Sequence, residues 1–125
     1  MIFHLKGPNG NILNLYKYGT GVFTGPVSGN STWGWYGAKV SSGGTTAFST
    51  VAVAPFIYNN STNWKADNIN TAVAGAVIQN PTGYVSNASG WADLYSTLNG
   101  NWTLAMCDGG PGDVGTLTTW QLCLT

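Results

Sequence analysis

The stretch Trp102-Thr103-Leu104-Ala105-Met106-Cys107-Asp108-Gly109-Gly110-Pro111-Gly112-Asp113-Val114-Gly115-Thr116-Leu117-Thr118-Thr119-Trp120-Gln121-Leu122-Cys123-Leu124 decides the fold class. Trp102, Leu104 and Met106 alternate with Thr103, Ala105 and Cys107, the period of a strand that buries one face. Asp108 to Gly115 concentrates turn residues, and Leu117 to Leu124 then runs back, so the stretch predicts a long-looped hairpin. With the turn near Gly112, Cys107 faces the region of Leu117 and Cys123 lies toward the far end. That separation exceeds the ~7 Å beyond which two Cα atoms cannot be bridged, so both thiols are expected to be free.

At the other end of the chain, Ile2 to Leu5 leads into the turn signal Gly7-Pro8-Asn9-Gly10 and on to Ile12-Leu13-Asn14-Leu15-Tyr16, which predicts a second hairpin. Between these ends the signals are shorter. Gly19 to Gly44 reads as ordered loop with a short strand near Trp35 to Val40, Thr45 to Val53 as a strand ended by Pro55, and Phe56-Ile57-Tyr58 as another. Ala72 to Ile78 is an apolar run that periodicity leaves open between buried strand and irregular wall. Trp91, Leu94 and Tyr95 recur at three and four residues, which predicts one helical turn capped by Ser89.

Composition agrees with strands and turns and narrows the partners. Eighteen glycines and abundant Ser, Thr and Asn in 125 residues favour turns, and the length suits one domain over 1–125. Charged residues are 6% of the chain, far below the roughly 25% of an average globular protein, and the net charge is zero. No basic field is therefore available to hold nucleic acid or anionic lipid, and no run is long and apolar enough for membrane insertion.

Leu98 to Leu122, with its G-x-W-x-L-x-x-x-D run followed by G-D-x-G-x-L-x-x-W-x-L, resembles the end of the proprotein convertase P-domain. Phe3 to Leu15 is similar to the same family's L-x-S-P-x-G-x-x-x-x-L segment, with Lys6-Gly7 in place of the usual small hydroxyl pair. The middle, including Phe48 to Ala52 and Trp91 to Tyr95, is most similar to the P-domain-like modules appended to secreted Bacteroidetes proteins. The resemblance implies an all-β, jelly-roll-like β-sandwich of roughly eight strands that lacks the family's first strand or strands, because the chain opens at Met1-Ile2-Phe3. It implies a non-catalytic structural, stabilising or docking module of a secreted or cell-surface bacterial protein. Its partners would be neighbouring domains of a longer polypeptide or copies of itself, the latter by addition of the missing strand. A self-assembling subunit of a filament or virion, completed by strand addition, is a further reading.

Candidate sites are few. Asp108 and Asp113 flank a glycine-rich bend and could collect calcium with backbone carbonyls, although side chains of this kind more often close turns; no cofactor is required. Trp33, Trp35, Tyr36 and Trp64 lie in Gly- and Asn-rich context, where they either form a glycan platform for a carbohydrate-binding or adhesin domain or pin loops to the core. Asn30, Asn59, Asn60, Asn87 and Asn101 satisfy the glycosylation acceptor pattern, as a chain rich in these residues does by chance. Trp102 and Trp120 are expected in the core. His4 is the only histidine, in a predicted strand, and the chain has no Arg or Glu, so no enzyme site is expected.

Overall fold

The computed structural model describes residues 2–16, 34–47, 57–66, 80–107 and 116–124. They form an all-β arrangement with one short 3₁₀ turn at Trp91–Leu94. The strands are β1 (Ile2–Lys6), β2 (Ile12–Tyr16), β3 (Gly34–Tyr36), β4 (Thr46–Ala47), β5 (Ile57–Asn59), β6 (Trp64–Lys65) and β7 (Thr103–Cys107).

The N-terminal hairpin forms where its turn residues predict it. Lys6 pairs with Ile12, the Gly7 N–H donates to the Asn11 carbonyl at 3.0 Å, and Gly10 occupies the left-handed region at φ 88°. The Asn9 side chain accepts from the Asn11 N–H at 3.0 Å, the local bond that suits Asn to turns. Sheet order is β2-β1-β7, antiparallel throughout, so β1 is the central strand and is paired on both sides.

The register shifts between Phe3 and His4: Phe3 faces Tyr16, His4 faces Asn14, and Leu15 is the extra residue. One added residue reverses side-chain parity, which brings Leu13 and Tyr16 onto the face they share with Leu5 and Phe3. Leu5 and Leu13 then join Ala66, Ala88 and Leu94 in one buried cluster, while Tyr16 joins Tyr58 and Trp64 in a second. The opposite face of β1 carries His4, fully buried beside its cross-strand partner Asn14.

β3 pairs with β5 and β4 with β6, both in parallel, a pairing that the sequence reading did not anticipate. The predicted strand at Thr45 to Val53 is observed as β4 alone, its later residues lying outside the described ones, as does Ala72 to Ile78.

Two expectations are corrected. Residues 116–124 form no strand, so β7 is not answered by a returning partner there; its ladder is with β1. Trp120 is 46% exposed and is not core, whereas Trp102 is half-buried against the first cluster and donates its indole N–H to the Leu98 carbonyl at 3.0 Å. The physical reason is that Leu122 alone of this segment packs on the core, leaving Leu117, Trp120 and Leu124 outward. Cys107 and Cys123 are free, as expected, although the hairpin on which that expectation rests does not form over 116–124.

Candidate functional site

Of the aromatic residues singled out in the sequence, the fold gathers Trp35 and Trp64 into one cluster around Tyr58. Trp35 on β3 stacks on Tyr58 at 5.4 Å with 24° between the planes and meets Phe3 and Tyr16 edge-on at 4.6 and 4.8 Å. Trp64 is 3% exposed, edge-on to Tyr58 at 5.3 Å, and donates its indole N–H to the Asn59 carbonyl at 2.7 Å. These rings fill space between the β1–β2 hairpin and the parallel pairs, in the offset and edge-to-face contacts that ring quadrupoles favour. Tyr36, at 53% exposure, points outward, and Trp33, Asp108 and Asp113 lie outside the described residues.

A groove of about 320 Å³ opens instead between the turn that follows Val40 and the 3₁₀ turn; Ser41, Ser42, Lys65, Trp91 and Tyr95 are among its lining residues. One wall is built by backbone pairing. Ser41 donates to the Trp64 carbonyl at 3.1 Å, and Thr45 and Thr46 both donate to the Asn63 carbonyl at 2.9 and 3.0 Å. The Asn63 side chain reaches back to the Gly43 carbonyl at 3.0 Å. Gly44 closes this wall so tightly that a Cβ there would collide with the Trp64 carbonyl, which only glycine avoids.

The other wall is the Trp91–Leu94 turn, seated by Leu94 in the first core cluster. The Asn9 and Asn11 amides both donate to the Asp93 carbonyl at 2.8 Å, tying the turn to the hairpin loop. Ser89 does not cap this turn with its own oxygen; Gly90 is the N-cap residue. The Asp93 carboxylate instead accepts from the Ser89 N–H at 2.7 Å and the Ser89 hydroxyl at 2.8 Å. These two donors, the backbone N–H first, hold the Asp93 carboxyl below the ordinary aspartate value of 3.8.

Lys65 and Tyr95 escaped the sequence reading because a lysine beside a buried Trp and a tyrosine after a helical turn each look ordinary alone. The recurrence of Trp91 and Tyr95 around a helical turn was the available signal, and both line the groove. The Trp91 indole N–H is shielded from solvent and has no hydrogen-bond acceptor among the described residues.

No protein-family pattern matches this chain, and neither a curated protein nor a solved structure matches it. No helix among the described residues is long and apolar enough to cross a membrane.

Proposed function

We propose that the chain is a non-catalytic structural or docking module of a secreted or cell-surface protein, built as a P-domain-like β-sandwich. The observation that carries the non-catalytic reading is the setting of His4. The sole histidine is fully buried in the central strand, with Nδ1 2.8 Å from the Tyr84 carbonyl and Asn14 across the ladder. A buried ring used this way holds the 80–88 segment to the sheet and offers no proton to a bound substrate. In support of the family reading, Phe3 to Leu15 forms a hairpin around its Pro-Asn-Gly turn and Trp102 packs beneath it; the Trp-x-Leu motif around Trp120 does not lend support. Leu117, Trp120 and Leu124, each 44–46% exposed, are side chains that a neighbouring domain of a longer polypeptide would cover.

Two measurements test this. The purified chain is expected to turn over none of a panel of chromogenic ester, glycoside and peptide substrates; activity lost in His4→Asn with the fold retained would overturn the non-catalytic reading. An experimental structure placing β2-β1-β7 in one of two packed antiparallel sheets would support the sandwich. A single sheet would sink it.

A further inference from the structure

We infer that the groove between the turn at Ser41, Ser42 and Gly44 and the pair Trp91 and Tyr95 binds one pyranose ring bearing a carboxylate, as in a uronic acid residue. Both walls are fixed before any ligand arrives, one by the backbone bonds to Asn63 and Trp64 and the other by the Asn9 and Asn11 amides on Asp93. A site held in this way avoids the ordering cost that weakens binding to mobile loops. Its volume of about 320 Å³ stands at the small end of ligand pockets, roughly 300–1,000 Å³, and suits a single ring better than a chain segment.

The lining chemistry is divided as a sugar acid requires. Trp91 and Tyr95 supply apolar ring surface, and Tyr95 is 44% exposed, open to the C–H face of a pyranose. Ser41 and Ser42 bring hydroxyls that can donate to or accept from ring hydroxyls. Among the described residues that line the groove, Lys65 is the only charged one. The nearest acid on the same turn, Asp93, does not line it and spends its carboxylate on Ser89. Among the described lining residues the groove therefore presents one positive charge and no acid, a charge that a carboxylate complements and a neutral sugar does not. Neither the half-buried Trp35 nor the buried Trp64 is among its lining residues.

The test is a nitrogen–proton NMR titration of the full chain with methyl glucuronide, methyl glucoside and acetate. Saturable shifts are expected for residues 41–44, 65–66 and 91–95 with the glucuronide, saturating below about 10 mM, with the glucoside at least about tenfold weaker. Lys65→Gln and Tyr95→Ala, both at exposed positions, should each weaken the glucuronide by about tenfold while leaving the rest of the spectrum in place. Absence of saturable shifts overturns the proposal. So does equal affinity for the glucoside, or acetate reproducing the glucuronide shifts in full, since these outcomes remove the charge or the ring from recognition.

Discussion

Between Lys6 and Ile12 the chain reverses through a single turn whose residues sit side by side in sequence, whereas β3 meets β5 and β4 meets β6 only across long intervening segments. The first region is held by a ladder on both sides of β1 and by aliphatic packing of Leu5, Leu13 and Leu94. The second has ladders of two and three residues, too short to stand alone, and is held by its rings. The difference shows where rigidity comes from: antiparallel ladders of five-residue strands in one region, aromatic burial in the other.

The aromatic half of this comparison breaks most readily at Trp64. Trp64→Ala empties a 3% exposed site and removes the indole bond to Asn59, so a loss of roughly 3–5 kcal/mol is expected in urea unfolding. Trp120→Ala, at 46% exposure, should cost under about 1 kcal/mol. Equal losses at the two positions would show that the final segment packs inward after all, as its motif suggested. Gly44→Ala comes next, at about 1–3 kcal/mol for forcing a methyl group against the Trp64 carbonyl. In hydrogen exchange it should strip protection from the Thr45 and Thr46 amides while the β1–β2 ladder keeps its own. Simultaneous loss in both regions would mean that they open as one unit.

The same contrast explains what could be read from the residues. Pro8, Asn9 and Gly10 name their turn directly, and Trp91, Leu94 and Tyr95 name theirs, because each signal is complete within a few neighbours. Parallel pairing has no such local mark: nothing in Gly34-Trp35-Tyr36 states that Ile57-Tyr58-Asn59 lies beside it. At Trp64 context left two readings open, ligand platform or loop pin, because the Asn and Ser around it describe the backbone of a turn and not the destination of the ring, which is buried. At Trp120 the alternating pattern matched a strand, but a strand forms only where a partner edge is within reach, and Leu122 is instead seated on the aliphatic core. The groove was half legible: its two aromatics came from one motif, but Lys65 and the serines reach it through tertiary pairing.

Smaller effects sharpen the picture of the local region. Asn9→Ala and Asn11→Ala each remove one donor from the Asp93 carbonyl and should cost about 0.5–1.5 kcal/mol apiece. Because Asn9 also accepts from the Asn11 N–H, the double variant should fall short of or exceed the sum, and strict additivity would argue that the two amides act independently.

The finest test concerns Asp93 and pH. Its carboxyl is held below 3.8 by Ser89, chiefly through the backbone N–H and secondarily through the hydroxyl. A depressed acid stabilises the fold fully above its unfolded value and loses that contribution as pH falls through the lower folded value, so the effect lies wholly on the acid side of 3.8. Ser89→Ala deletes the hydroxyl and keeps the N–H. Its carboxyl titration, followed by carbon-detected NMR, should therefore move only part of the way toward 3.8. Complete return to 3.8 would show that the hydroxyl, and not the turn's backbone, fixes this end of the groove wall. An unchanged titration would show that the hydroxyl bond contributes nothing to it.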